Sequence, residues 1–531
     1  MSIKRLAYTL WIVGIALFAA VHLWHLRADF PNFSPWEDWA KYTDEGWYGS
    51  AATRAHLFGN WYIPGDFNPA PAVPVWPFLL WVLFFFTGVT VQAARALAVA
   101  FFFLNLFLSY KLFRERGPRW VGLLAVTLLV TSPFLYCFSR LAILEALLMA
   151  FTLGAMNLAL RLPRFERKEG VCALIGLIFT GMLLTKTTAV FLLPALVWMI
   201  ALPMWDQKRK LARMLAAAGV SAALSFSLWM LLVVNYGLYG DYKYLFAVNQ
   251  YEQPVGLMGR LVAFWWSFHG GLWADVVLIP LAGVLILAAL LTRIRADKRN
   301  WTIDLWTNGL WRDPLFSGSV LAAAGFLAFM TYQNHPQPRY YVVVAFFCFF
   351  VVVRVTAQLL YTETKGHRVG LIVLALVAGT AVCNGVWTLR YVFHPQYTWI
   401  TAANNLTRYI DTHPNGKRML VSISGDEITL LTHLPSLCDE FGTMDLDQKE
   451  AQYQPGWFAS WNDLDPDTLE DLHTHFSLEQ VAIFPAFDDP NRNKLVLFKL
   501  HPLPNGRVRA KGDGTMRVPL PDDTIRIEME Y

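Results

Sequence analysis

The 531-residue chain has little cysteine, little charge and no glycine-rich loop of the kind that cradles a nucleotide. Of its five cysteines, Cys137, Cys172, Cys348 and Cys383 lie inside apolar runs and only Cys438 lies outside them, which offers neither a disulfide framework nor a cysteine-based metal site. Charged residues make up only 16% of the chain, and no internal repeat is visible of the sort that builds transporters from related halves. The first segment, Met1 to Leu26, has a short basic start at Lys4 and Arg5, then a long apolar run with no small-residue cleavage site at its end. It is expected to stay as an anchor with its basic flank in the cytoplasm.

What the chain does have is apolar surface. Hydrophobic residues make up 56%, with 22 Trp and 38 Phe, and the mean hydropathy is +0.38. A soluble protein cannot bury that much, so the fold expected is an α-helical polytopic membrane protein. Charge divides it. Residues 394 to 531 hold 12 Lys and Arg against 21 Asp and Glu, a net −9, and residues 1 to 393 carry +14. The basic residues cluster at 111 to 119, 161 to 170, 206 to 213, 293 to 299 and 363 to 368, and short basic loops stay cytoplasmic. The chain must therefore cross the bilayer an even number of times between successive clusters. That parity demotes "PVWPFLLWVLFFFTG" (74 to 88) to a re-entrant or interfacial helix, which its length also suggests. Eleven spans remain: 6 to 26, 91 to 110, 120 to 138, 142 to 160, 171 to 184, 188 to 204, 214 to 234, 273 to 292, 314 to 332, 340 to 361 and 369 to 391. The short pair 171 to 184 and 188 to 204 is read as a hairpin turning at "LLTKTTA". The first outer loop runs from 27 to 73, and residues 394 to 531 form a small extracytoplasmic α/β domain with helices at 397 to 412 and from Asp426, and strands at 418 to 424, 480 to 487 and 494 to 500.

This topology gathers charge on the outer face: Asp44 and Glu45 in "TDEGWY", Arg95, Arg140 and Glu145 in "SRLAILEALL", Lys186 in "TKTTA", and His335 with Arg339 in "NHPQPRYY". A charge at a bilayer boundary costs several kcal/mol unless it snorkels or finds a partner, so each is a functional candidate. Taken singly each has a bland reading. Arg140 and Lys186 can snorkel, Glu145 can pair with Arg140 or Arg95, and Glu37 and Asp38 in "SPWEDW" read as solvated loop acids. Together they set carboxylates able to take a proton beside cations able to hold a phosphate.

The order of these segments, "YTDEGWYGSAATRAHLFGNW", "PAVPVWPFLLWVLFFFTGVTVQAARALAVAFF", "TSPFLYCFSRLAILEALLMAF", "GLIFTGMLLTKTTAVFLLPAL" and "HPQPRYYVVVAFF", resembles the polyprenyl-phosphate-sugar-dependent glycosyltransferases of the C-type fold. Within these it is most similar to the protein O-mannosyltransferase and lipid A aminoarabinose transferase group, over roughly residues 1 to 390. The resemblance implies Asp44 as catalytic base with Glu45 beside it. It implies Arg95, Lys186, Arg339, His335 and Tyr340 at the donor phosphate, with Arg140 and Glu145 in support; Glu145 stands where the family often has Asp.

The activity so implied moves a sugar from a polyprenyl-phosphate donor to an acceptor hydroxyl at the extracytoplasmic face. One base and direct displacement imply inversion. Expected partners are the lipid-linked donor, a lipid, glycan or protein acceptor and the membrane itself, with no nucleic acid and no nucleotide cofactor. A divalent cation held by Glu45 stays open. The setting implied is a bacterial inner membrane. A transporter or flippase of lipid-linked saccharides is the alternative; it would want polar residues at mid-bilayer rather than at one face.

Overall fold

The computed structural model describes residues 3–31, 34–248, 253–295, 309–361, 365–462, 466–487 and 492–503. The basic run 293 to 299, part of the run at 363 to 368 and the chain beyond 503 fall wholly or partly outside what can be said of side chains. Among the described residues eight helices are long and apolar enough to cross a membrane, or nine if the bent pair Arg119–Thr131 and Pro133–Arg140 is one span. With that pair and the shorter helices Lys168–Leu183 and Leu278–Arg295, a helix answers to each of the eleven expected segments.

Local chemistry explains the breaks. The bent pair turns by 67° where Pro133 lacks an N–H to continue the ladder and the Ser132 hydroxyl accepts from Leu135 N at 3.3 Å to start the next helix. Val75–Thr87 has 13 residues, about 20 Å at 1.5 Å per residue, and so falls short of a bilayer core of about 30 Å. The hairpin at Lys186 also forms: the helix Lys168–Leu183 ends, Lys186 is extended (φ −154°, ψ 122°), and a short 3-10 segment from Thr187 leads into Leu193–Ala201. Tyr341–Leu360 is apolar on every side up to Arg354 and buried along nearly its whole length, so it runs through the middle of the bundle.

Two features depart from expectation. The span placed at 273 to 292 starts later, at Leu278, because Asp275 Oδ1 accepts from Val277 N and Leu278 N at 2.9 and 2.7 Å and caps the helix there. Before it stands an unforeseen helix, Gly256–Ala274, in which Arg260 and His269 interrupt the apolar run and lower its hydropathy signal.

The C-terminal region carries a five-stranded sheet in the order β2-β1-β3-β5-β4. Its strands are β1 (Lys417–Val421), β2 (Ser436–Leu437), β3 (Pro455–Trp461), β4 (Phe476–Pro485) and β5 (Lys494–Pro502). β1 runs parallel to β2 and β3, and β5 lies antiparallel between β3 and β4. The helices Thr398–Thr412 and Gly425–Thr432 stand where the sequence puts them. β4 begins four residues earlier than expected, and a register shift between Gln480 and Ala482 hides its alternation. The sequence reading misses β3, which is buried on both faces and so has no alternation to show.

This region does not hang free of the first loop. Tyr42 is packed in the same core as Trp399, Trp457 and Trp461, and Leu430 packs with Ala52, Trp76 and Leu80 of the membrane part. Full burial of a side chain such as Leu430 contributes about 1.5–3 kcal/mol, so the contact is an adhesive one.

Candidate active site

The loop segment "TDEGWYGSAATRAHLF" folds into a helix, Asp44–Phe58, closed by Gly59 in the left-handed region at φ 78°. Its first two residues, Asp44 and Glu45, are both buried but face different partners.

Glu45 is fully engaged. Arg95 grips it in bidentate fashion, Nε to Oε1 at 2.8 Å and a terminal nitrogen to Oε2 at 2.5 Å. Ala142 N adds a third bond at 2.7 Å. Arg95 spends its remaining reach on the carbonyls of Leu26 and Ala28 at 2.9 and 2.6 Å. Arg95 therefore ties the loop helix to the span Val91–Arg114 and to the end of the first helix. The same observation answers the thought that Glu45 holds a cation: its oxygens are bonded to Arg95 and Ala142. Among the described residues no three of His, Cys, Asp and Glu are grouped as metal ligands.

Asp44 faces the other way. Its Oδ2 is 3.1 Å from Arg339 Nε, at an angle that makes an ion pair without a hydrogen bond, so both atoms are buried with unused bonding capacity. Oδ1 lies 3.2 Å from the Thr43 hydroxyl, whose single proton is shared with the nearer Trp39 carbonyl at 2.7 Å. Burial pushes the Asp44 carboxyl up to about 6 from an ordinary 3.8, against the pull of Arg339 and with Asp38 and Glu145 adding to the rise. Tyr48, one turn on, is raised well above its usual range by burial and by Asp44.

Arg339 is itself held by Asp38, which bonds its guanidinium and accepts from its backbone N at 2.8 Å. Asp38 is 3% exposed, so its reading as a solvated loop acid is wrong. The sign was available: Asp38 also accepts from Ala40 N at 2.8 Å and caps the short turn Trp39–Lys41, and a capping acid among tryptophans is one the chain can bury. Lys186 bonds Glu145, which is neither of the partners the sequence offered for that acid. Lys186 Nζ and the Arg339 guanidinium both lie against the Tyr340 ring, at 4.8 and 5.1 Å. His335 stands on the rim, half-buried, its ring 6.5 Å from that of Tyr340. Burial and Arg339 lower it to about 4, so it is neutral near pH 7.

A cavity of about 620 Å³ opens beside this group, its lining a mixture of polar residues such as Tyr48, Lys186 and Tyr340 and apolar ones such as Phe191, Phe246 and Phe329. Arg140 is elsewhere. It stacks on Tyr136 at 4.7 Å and donates to the carbonyls of Trp24 and His25 at 2.8 and 2.6 Å, pinning the end of the first helix. The structure thus links Asp44, Arg339, Tyr340, His335, Lys186 and Glu145 into one group of neighbours, of which Lys186 and Tyr340 line the cavity, and it turns Arg95 and Arg140 to other partners. Arg354, within the helix Tyr341–Leu360, pairs with Asp313.

The fold is that of the C-type glycosyltransferases. A structure of ArnT from Cupriavidus metallidurans, bound to undecaprenyl phosphate, superposes with a TM-score of 0.62 at 14% identity, over 92% of this chain and 98% of that one. The archaeal oligosaccharyltransferase AglB from Archaeoglobus fulgidus, in complex with an inhibitory peptide and a dolichol-phosphate, gives a TM-score of 0.50 at 12% identity, over 93% of this chain and 75% of that one. The family model for dolichyl-phosphate-mannose-protein mannosyltransferases matches residues 69–231, a stretch that contains Arg95, Arg140, Glu145 and Lys186 but neither Asp44 nor Arg339. No curated protein sequence gives a match. Family match and fold agree with the resemblance read from the sequence, and together they point to a membrane glycosyltransferase using lipid-linked donors.

Proposed function

We propose that the chain transfers a sugar from a polyprenyl-phosphate donor to an acceptor hydroxyl at the extracytoplasmic face, with inversion and with Asp44 as general base. The observation that carries this reading is the buried Asp44 carboxylate with a spare oxygen 3.1 Å from Arg339 Nε, one helical turn from Tyr48, which lines a cavity with Lys186, Tyr340 and several phenylalanines. An isoprenoid tail suits the phenylalanines of the lining, and the anionic phosphate suits Lys186 and Arg339.

In the reaction, the acceptor oxygen forms a bond to the anomeric carbon while its proton passes to Asp44. The bond from that carbon to the phosphate oxygen breaks, and its electron pair leaves on the lipid phosphate. A carboxylate with a pKa near 6 is matched to this task at neutral pH. Lys186 and Arg339 neutralise the charge growing on the phosphate, while Tyr340 holds both cations in place and His335 offers a neutral hydrogen bond from the rim. Glu145 orients Lys186. In this reading Arg95 and Arg140 serve the scaffold, and residues 394–531 form a domain on the outer face over the first loop.

Purified protein, given radiolabelled polyprenyl-phosphate sugars and a membrane extract as acceptor, should transfer label, and Asp44→Asn should not. Movement of the lipid-linked sugar across liposomes without transfer would favour a flippase instead. Cysteine labelling that put positions 44 and 186 on opposite sides of the membrane would end the proposal.

A further inference from the structure

The helix that begins at Asp44 has an unusual start. The first N–H groups of any helix lack partners within it, and an N-cap side chain commonly serves them. Here the N-cap residue is Thr43, and it makes no such bond; its hydroxyl donates to the Trp39 carbonyl at 2.7 Å. The partner comes from 381 residues away: Gly46 N donates to Glu427 Oε2 at 2.8 Å. Glu427 belongs to the helix Gly425–Thr432 of the C-terminal region and is 0% exposed. The two helices touch backbone to backbone, since a Cβ at Gly46 would collide with the main chain of Glu427.

The delivery is firmly held. Arg54, from the far end of the loop helix, donates to Asp66 at 2.7 Å and to Asp426, beside Glu427, at 2.8 Å. Asp66 also accepts from Cys438 N at 2.9 Å, so the loop and the C-terminal region are locked on both sides of the contact.

Folding alone does not account for the side chain chosen. Glu427 Oε1 is buried with no hydrogen-bond partner among the described residues, a cost that an apolar residue would avoid. Around it stand Glu45 and Asp44 from the loop helix and Arg95 from Val91–Arg114.

We infer that Glu427 is a positioning residue for the base: its carboxyl caps the helix that starts at Asp44 and holds Asp44 against Arg339. The inference rests on the reading of Asp44 given above. It gives the C-terminal region a part in the chemistry without contact with donor or acceptor. Burial and the neighbouring Glu45 push the Glu427 carboxyl above its ordinary range, and glutamine keeps an acceptor oxygen at the same reach.

The test compares full-length Glu427→Met, which fills the space without an acceptor, with Glu427→Gln, which keeps one. In Glu427→Met, hydrogen exchange at residues 46 to 48 should rise about 10-fold or more, and Glu427→Gln should stay near wild type. With undecaprenyl-phosphate [3H]mannose and a polyprenyl-phosphate-sugar lipid extract as donors, Glu427→Met should lower kcat about 10-fold with little change in donor KM. Its acid limb should move to higher pH, because Asp44 drifts from Arg339, and Glu427→Gln should recover most of the rate. Loss of folded protein alone would lower the rate without moving the limb. Unchanged exchange at 46 to 48 in Glu427→Met overturns the inference without touching the base assignment. Altered exchange with an unmoved limb and kcat overturns it too. If Glu427→Met does not fold, Gly46→Ala, which pushes on the same contact from the other helix, takes its place. Asp44→Asn turning over like wild type would remove the base assignment, and this inference with it.

Discussion

Asp44 and Glu45 are neighbours of the same charge at the same depth, yet the protein uses them in opposite ways. Glu45 has a bidentate arginine and a backbone amide on its two oxygens; Asp44 keeps an oxygen that only an ion pair approaches. Consecutive residues of a helix differ by about 100° in direction. One residue step along the helix therefore turns one acid to Arg95 and the other to Arg339. A saturated buried carboxylate is a fastener, and an undersupplied one is available for chemistry.

Substitutions can break that comparison. The largest effect expected is in Asp44→Asn, which should lower transfer about 10³-fold, within the range for loss of a general base, and leave the melting temperature close to wild type. Glu45→Gln should show the reverse signature. Removing one charge from a buried pair leaves Arg95 uncompensated and costs about 3–5 kcal/mol, read as early denaturant unfolding of the detergent-solubilised protein. If Glu45→Gln instead folded normally and lost only activity, the division between fastener and base would be wrong.

Lys186→Ala should weaken binding of undecaprenyl phosphate about 10- to 100-fold in titration, as for the loss of a charged hydrogen bond to an anion. Glu145→Gln should do less, because it only orients the lysine. Acidity sharpens the comparison further. Transfer requires Asp44 deprotonated, so kcat should fall as pH drops through about 6 and level off above 7. Stability has the opposite sign at this group. Its folded pKa lies above the unfolded value, so Asp44 favours folding below about 4 and that contribution is lost as pH rises through 6. The smallest effect is expected at Arg140, bonded to carbonyls at the membrane edge: Arg140→Ala should change transfer less than about 3-fold and stability by about 1 kcal/mol.

Much of this was legible in one chain. The apolar runs and the basic loops between them outline the bundle, since hydropathy and charge act locally and are read along the chain. Short motifs point to Asp44, Lys186 and Arg339. Other features were hidden because they depend on neighbours distant in sequence. Asp38 looks like any loop acid until Arg339, 301 residues later, is seen upon it. Arg95 is expected at the phosphate and Arg140 in support of it, but their hydrogen bonds run to Glu45 and to main-chain carbonyls. Nothing in "SGDEITLL" announces that Glu427 caps the helix at Asp44, and β3 shows no period because both of its faces are covered.

By itself, then, the sequence determined the class of solvent the chain folds in, the approximate crossings and the inventory of charged side chains near one face. Only the tertiary structure decided which charges are spent on one another and which are left with capacity. The reason is physical: burial in a membrane or a core depends on composition along a segment, whereas pairing in a buried site depends on angles and distances of a few ångströms between segments hundreds of residues apart.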